Sequence, residues 1–207
     1  MLTEIITIFL ILFPSIVLHE CAHGWTAYKL GDPTAKWAGR LTLNPLKHVD
    51  PVGTVLIPGM LVGMRLLGMP TFIFGWAKPV PVNFLRLRHP KRDMIWVGLA
   101  GPAVNILLAV LLSSCLNLKM PVFVYQLVET AVFINLLLAV FNMMPIPPLD
   151  GSRLVMGLLP REMALFYGQL ERYGILVVIV LIYLGLFEAA VLPIVEFIGK
   201  LLGVHFS

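Results

Sequence analysis

Four long apolar runs constrain what this chain of 207 residues can fold into. They occupy residues 3–23, 94–116, 122–144 and 174–190, and each can form a helix across a hydrocarbon core of about 30 Å, the last only just. Charged residues make up 13% of the sequence and apolar residues 59%, whereas a soluble domain is about 25% charged. This composition excludes a soluble monomer and a disordered chain, and two cysteines are too few for a disulfide scaffold. We therefore expect a single all-α, polytopic membrane domain over residues 1–207.

The segment 51–83 does not fit a straight membrane helix. Residues 52–69 are apolar enough to span, but Pro58, several glycines and Arg65 disfavour a lipid-facing helix. Residues 71–83 are rich in β-branched and aromatic residues and then in prolines, which favours short edge strands or a hairpin. We expect about four to five transmembrane helices, with a re-entrant or β-hairpin element in this segment.

The C-terminal third contains two further helical signals. Residues 160–173 are amphipathic, which predicts a short surface helix. One or more helices are expected over 174–203. The tail 191–207 either extends the last helix or lies at the membrane interface, and the sequence leaves both options open.

The first apolar run contains a motif that can bind a metal ion, HECAH at residues 19–23. Two histidines at i and i+4 lie on one helix face, about 6 Å apart along the axis, so that both can reach one ion. Zinc lowers the pKa of a bound water to about 7, and Glu20 is close enough to accept its proton, which is the chemistry of amide hydrolysis. His19 lies about 24 Å from Thr3 along the axis and thus inside the hydrocarbon core, which makes a solvated helix end the weaker interpretation.

A catalytic zinc ion needs a third protein ligand, and Asp150 is the strongest candidate. It belongs to FNMMPIPPLDG (141–151), where a lone acid after a proline-rich break can point back toward the helix end. His48 and His89 lie in basic turns, where solvated histidines are more usual. Asp150 could instead cap a helical segment over 151–159, and the residues alone leave both options open.

Three motifs together resemble the site-2 protease family of intramembrane zinc metalloproteases. They are HECAH in the first run, GPAVN (101–105) in the second and FNMMPIPPLDG at the end of the third, and they organise roughly residues 1–160 in the family's order. The resemblance implies that one zinc ion is bound by two histidines and an aspartate while a glutamate acts as general base. In this sequence the ligands are His19, His23 and Asp150, and the base is Glu20.

The resemblance also implies which residues face the substrate. Asn142, Pro145 and Pro148 would line the substrate path, and Asn105 would face the core near the site, so we include all four as candidate substrate-binding residues. Residues 75–83 would form the edge of a membrane-associated β region that pairs with an unwound substrate. Because neither a PDZ-like insertion nor an earlier spanning helix is visible, we expect a compact catalytic core.

The distribution of basic residues predicts an orientation in the membrane. If Asp150 and the HECAH pair share one metal, segment 51–77 cannot cross the membrane a single time. Of the fifteen Lys and Arg residues, ten in 24–93 and three in 145–173 then fall on the zinc side. This bias predicts a zinc site toward the cytoplasm and an N-terminus outside, in a bacterial or archaeal cell membrane. It also accounts for the net charge of +4, so nucleic acid is not an expected partner.

We therefore predict a zinc metalloendopeptidase that hydrolyses peptide bonds of transmembrane segments near the cytoplasmic face. Its expected partners are a transmembrane protein substrate and the lipid bilayer, and its oligomeric state is left open. One alternative is a zinc-binding transporter or an inactive scaffold without hydrolysis, although transporters usually show paired half-repeats and ionisable residues along a path. A second alternative is an HExxH membrane peptidase that acts on soluble or lipid-modified peptides.

Overall fold

The computed structural model describes residues 2–69 and 75–206, and this part of the chain is mostly helical and contains no β-strand. The all-α class predicted from the apolar runs is therefore confirmed. The helices of the described residues are α1 (Leu2–Lys29), α2 (Thr34–Trp37), α3 (Ile57–Leu66), α4 (Pro90–Cys115), α5 (Val122–Asn142), α6 (Gly151–Leu158), α7 (Arg161–Gln169), α8 (Gly174–Tyr183) and α9 (Leu186–Leu201).

Three helices in the described part of the chain are long and apolar enough to cross a membrane. They are Thr7–Lys29 within α1, together with α4 and α5, and they correspond to the first three predicted spans. A fourth span is possible if α7 and α8, which are bent by 69° at their junction, cross as one unit. The first helix extends beyond the predicted residue 23 and ends at Lys29. Gly31 follows with a φ of 111°, and a glycine that adopts positive φ commonly ends a helix.

A single helix over residues 174–190 was predicted, and this prediction is wrong. The structure has α8, which ends at Tyr183, and a separate helix α9. Between them Gly185 has a φ of 69°, and this left-handed backbone interrupts the helical ladder at little steric cost for glycine. The apolar run conceals the break because no charged residue marks it before Glu188, which lies beyond Gly185.

The tail continues as α9 to Leu201 and then packs against the core. Val191 and Val195 of α9 are buried against Val132 and Leu136 of α5, and Val204 joins the same cluster. Of the two options for the tail, the structure therefore shows extension of the last helix. The predicted surface helix over 160–173 is confirmed as α7 followed by a 3-10 turn.

Segment 51–83 is helical in its first half and has no strand in the described part of its second half. A π-helical turn at Pro51–Leu56 leads directly into α3, and together they are shorter than the roughly 20 residues of a membrane span. Residues 75–83 have no regular secondary structure, so the predicted strands are absent there, while 71–74 lie outside the described residues. We call residues 76–83 the strap.

The strap lacks strand partners because its N–H groups bond to unrelated acceptors. Trp76 donates to the carbonyl of Gly53, Lys78 to that of His48, and Val80 to a side chain of α1. Two prolines, at 79 and 81, have no N–H to offer a ladder. Residues 76–83 are therefore held by separate hydrogen bonds to different parts of the chain and not by a strand ladder.

Helix α4 lies between α1 and α5 and also packs against α6. Its buried face carries small side chains at one-turn intervals, including Gly98, Gly101 and Ala109. Small residues at such positions let helix backbones approach closely, as membrane helices often do. The HECAH motif of α1 and the start of α6 meet at this face of α4.

Candidate metal centre

Three side chains from separate parts of the chain converge beside α4. His19 and His23 of α1 are 6% and 8% exposed, and their Nε2 atoms lie 3.0 Å apart. Asp150, directly before α6, places Oδ2 at 3.1 Å from His19 Nε2 and 3.2 Å from His23 Nε2. Among the described residues, this is the only group of three or more His, Cys, Asp or Glu side chains with metal-ligand spacing.

Asp150 does not cap the helix that follows it. Its side chain makes no capping hydrogen bond, so the helix-capping alternative is wrong for this position. Its Oδ2 atom is buried without a hydrogen-bond partner and is directed at the two histidines.

The hydrogen bonds of the imidazoles leave both Nε2 atoms free to bind a metal. His19 Nδ1 lies 2.6 Å from the side-chain oxygen of Asn105, and His23 Nδ1 lies 2.6 Å from the carbonyl of Val97. Both partners accept, so each Nδ1 carries the proton and each Nε2 presents a lone pair. Two imidazole nitrogens and one carboxylate oxygen are a donor set of catalytic zinc sites, with a fourth position left for water or substrate. The residues present therefore fit one zinc ion.

A chain of buried amides orients His19. Asn105 donates through Nδ2 to the side-chain oxygen of Asn135 at 2.9 Å, and Asn135 donates to Ser15 Oγ at 3.1 Å and to the Ala131 carbonyl at 2.8 Å. The Ala131 carbonyl can only accept, so the amide of Asn135 must turn its NH₂ group that way. The orientation of the Asn135 amide in turn fixes that of the Asn105 amide. The Asn105 oxygen then faces His19, whose Nδ1 must carry the proton. We call Asn105, Asn135 and Ser15 the amide relay.

Asn135 and Ser15 were not predicted as parts of the site, and Gly101 was noted only as a member of the GPAVN motif. Asn135 and Asn105 are each no more than 1% exposed, although both lie inside apolar spanning helices. An amide side chain inside an apolar helix was the signal for a buried polar site, because an unpaired amide is unfavourable in hydrocarbon. Gly101 gave no chemical signal, since its contribution is the absence of a side chain.

Gly101 lets the histidines occupy their positions against α4. A Cβ atom built at residue 101 would overlap the Nε2 atoms of both His19 and His23. The approach is also what brings the Val97 carbonyl, one turn earlier, within reach of His23. The glycine is therefore a steric requirement of the metal centre.

Glu20 lies between the two histidines in sequence and has a different partner. Its Oε2 atom accepts a hydrogen bond of 2.7 Å from the backbone N–H of Val80 in the strap. The residue is half-buried and stands outside the ligand triad of the described residues. The structure thus places a carboxylate next to the candidate ligands without making it one of them.

The candidate substrate-binding residues fall into two groups. Asn105 is fully buried and bonded to His19 and Asn135, so its contacts indicate that it orients a ligand. Asn142, Pro145 and Pro148 lie at the end of α5 and in the turn leading to Asp150. Asn142 donates to the carbonyl of residue 138 in its own helix, and the carbonyl of Pro145 accepts the hydroxyl of Tyr167. Their contact with substrate stays a prediction.

The two other histidines considered as ligands lie outside the triad. His89 is exposed, as expected of a solvated turn. His48 is 0% exposed and its Nε2 lies 2.8 Å from the Thr42 carbonyl, so the expectation of a solvated histidine is wrong there. The reason is tertiary, because the imidazole lies against Cys21 of α1 and the Thr42 carbonyl.

Substitution of Gly101 by alanine should prevent metal binding, because the new methyl group overlaps both imidazoles. We expect purified Gly101→Ala to lose most of the zinc measured by mass spectrometry in the native protein. Gly63→Ala is a matched control, since nothing lies within 4 Å of a Cβ there. Full zinc occupancy in Gly101→Ala would contradict this steric requirement.

Interruption of the amide relay should weaken zinc binding without removing a ligand. Asn135→Leu leaves Asn105 free to turn its amide, and the zinc dissociation constant should rise roughly 10- to 100-fold. Chelator competition on the purified protein measures this change. Asn142→Leu, on the same helix but bonded only to its own turn, should leave the constant near the native value. Equal affinities in the two variants would refute the relay.

Comparisons with known proteins agree on one family. Residues 119–185 match the sequence profile of peptidase family M50. "Putative zinc metalloprotease YwhC" of Bacillus subtilis is 39% identical over 180 residues, which cover 82% of this chain and 77% of that protein. "Putative zinc metalloprotease Rip2" of Mycolicibacterium smegmatis is 31% identical over 172 residues, covering 81% of this chain and 63% of that protein.

A more distant relative is archaeal. "Zinc metalloprotease MJ0392" of Methanocaldococcus jannaschii is 26% identical over 165 residues, which cover 79% of this chain and 36% of that protein. No solved structure matches the chain significantly. The extent of the Bacillus subtilis match, together with the profile match, shows that this chain belongs to peptidase family M50, the site-2 protease family.

Proposed function

We propose that this chain, a zinc metalloprotease by family, hydrolyses peptide bonds within transmembrane segments near the cytoplasmic face of a membrane. The observation that carries the proposal is the convergence of His19, His23 and Asp150 beside Glu20, inside a bundle of apolar helices. The family membership supports the peptidase chemistry, and the names of the relatives support zinc as the metal. The membrane-embedded substrate and the cytoplasmic face are argued from this chain's own residues.

In this mechanism His19, His23 and Asp150 hold one zinc ion. When bound by these residues, zinc would polarise the scissile carbonyl and lower the pKa of water to about 7. Glu20 accepts the proton of the attacking water and then delivers it to the nitrogen of the departing amine, so that the C–N bond breaks to give a neutral amine. The amide relay and the Val97 carbonyl keep both imidazoles in the protonation state that the metal requires.

The depth of the ligands supports a substrate that resides in the membrane. His19 lies ten residues before the end of the span Thr7–Lys29, about 15 Å along the helix axis. Its partner on α4, Asn105, lies fifteen residues after the first residue of that helix, about 22 Å along the axis. A peptide bond reaches this depth most readily as part of a transmembrane segment.

The orientation of the site follows from a count of membrane crossings. Asp150 lies 3.1 Å from His19, so an even number of crossings must separate them. Helices α4 and α5 supply two, which leaves no single crossing for the short helix at Pro51–Leu66. Thirteen of the fifteen basic residues then lie on the side where α1 ends and α4 begins, and positive-inside bias makes that side cytoplasmic.

The strap limits how a substrate strand could pair with it. The N–H groups of Trp76, Lys78 and Val80 are taken by the protein. On the opposite edge of the strap the N–H groups would come from the intervening residues, Ala77, Pro79 and Pro81. Of these only Ala77 has an N–H. A substrate strand on that edge would therefore meet carbonyl acceptors and a single donor, so a full β-ladder is not available.

Glu20→Gln should abolish cleavage while zinc stays bound, because glutamine cannot accept the proton and the three ligands remain. The assay is cleavage of a tagged transmembrane substrate by purified protein in lipid vesicles, with zinc content measured in parallel. The native protein treated with a zinc chelator is the control, and it should be equally inactive. Substantial turnover by Glu20→Gln would reject the general-base role, and native protein that binds zinc without cleaving would favour the transporter or scaffold.

The orientation predicts which side labels introduced cysteines. Leu67, Leu85 and Leu118 are exposed, and single cysteines can replace them in a Cys115→Ser background, since Cys115 is itself exposed. Leu67→Cys and Leu85→Cys should react with an impermeant maleimide only in inverted vesicles, and Leu118→Cys in intact cells. Labelling of Leu67→Cys from outside would mean that the segment after residue 51 crosses the membrane.

A further inference from the structure

The strap donates one hydrogen bond to a charged side chain of α1, the carboxylate of Glu20. Along it, the N–H groups at every second residue face one side, as they do in an extended chain. Those of Trp76 and Lys78 reach backbone carbonyls at 3.1 and 2.9 Å. That of Val80 reaches Oε2 of Glu20 at 2.7 Å, the shortest of the three. One backbone amide of the strap is thus directed at the carboxylate assigned as general base.

Arg40 holds the strap on one side of Val80. Its side chain is buried, with 7% exposure, and its guanidinium donates to the carbonyls of Lys47, Lys78 and Pro79. No carboxylate of the described residues lies within 4.0 Å of it. A buried cation without an acidic partner needs strong acceptors, and here all of them are backbone carbonyls. Arg40 therefore ties the strap to the loop before residue 48.

Asp32 holds the strap on the other side. This carboxylate is 0% exposed, and its Oδ2 accepts the backbone N–H of Asn83 at 2.6 Å. Its other oxygen accepts the N–H and the hydroxyl of Thr34. Two buried side chains, one before and one after α2, thus fix the strap on both sides of Val80.

The position of Val80 is further restricted by its neighbours and its side chain. Pro79 and Pro81 fix their own φ angles and disfavour helical conformations in the residues before them. The Val80 side chain is buried against α1, where a Cβ at Gly24 would lie 2.7 Å from Val80 Cγ1. The direction of the Val80 N–H is therefore set before any substrate arrives.

We propose that the strap is a positioning element for catalysis, in which the Val80 N–H, fixed by Arg40, holds one oxygen of Glu20 and leaves the other for proton transfer. Glutamate has three side-chain torsions, so a free carboxylate would sample many positions relative to the attacking water. A hydrogen bond to a rigid backbone donor removes most of that freedom. This inference rests on the general-base role proposed for Glu20.

Val80→Pro removes the backbone N–H that contacts Glu20, at a position whose backbone torsions Pro79 and Pro81 already restrict. Val80→Ala keeps the N–H and loses the methyl groups, so it measures the contribution of packing alone. We expect the kcat of Val80→Pro to fall about 10- to 100-fold below that of Val80→Ala. KM, the zinc dissociation constant and the thermal unfolding midpoint should match between the two, because neither the ligands nor the substrate contacts change.

An ester in place of the Val80 amide gives a second test that keeps the side chain. The α-hydroxy acid analogue of valine, introduced at position 80 by nonsense suppression, deletes only the N–H. It should reproduce the loss in kcat at native zinc affinity. Equal kcat in Val80→Pro and Val80→Ala, or native kcat in the ester protein, would overturn the proposal. If Glu20→Gln is inactive at the same time, the general-base role survives and only the positioning role fails.

Arg40 provides an independent variant pair. Arg40→Met removes the charge and leaves the carbonyls of Lys78 and Pro79 without their donor, so kcat should fall as in Val80→Pro. Arg40→Lys keeps a cation and should restore part of the loss. Arg40→Met with native kcat would show that the strap holds Glu20 without the guanidinium and would remove Arg40 from the proposal.

Discussion

The rest of this structure depends on one constraint. Two imidazole nitrogens and one carboxylate oxygen direct their lone pairs at one another in an apolar interior. Each imidazole can present Nε2 only if its Nδ1 carries a proton and has an acceptor. Helix α4 supplies both acceptors, the Asn105 side chain for His19 and the Val97 carbonyl for His23. The close approach of α4 to α1, and the glycine at 101 that permits it, follow from this requirement.

Helix α5 acts on the metal centre from two positions. In its middle, Asn135 orients the amide relay that ends on His19. At its end, the proline-rich turn brings Asp150 to within 3.2 Å of both histidines. A third influence comes from outside the spanning helices, where the strap reaches Glu20. The ligands and the proposed base are thus controlled by different elements, so zinc affinity and turnover can be altered separately.

The sequence predicted the features that depend on local pattern. Helical spacing placed His19 and His23 on one face, apolar runs located the first three spans, and the break before residue 151 indicated Asp150. The sequence did not predict the features that depend on contacts between residues far apart in the chain. Gly185 breaks an apolar run whose overall composition predicted one spanning helix. His48 is buried beside Cys21 of α1 and the Thr42 carbonyl. The strap has no strand partner because its amides bond to a loop, a turn and a side chain.

The order of the ligands along the chain also affects biogenesis. The two histidines and the glutamate belong to the first helix made, whereas Asp150 follows α5, in the last third of the chain. A nascent chain that has inserted only its first spans therefore has two ligands and no complete site. Under the proposed ligand set, hydrolysis would therefore require that α4 and α5 have already been synthesised.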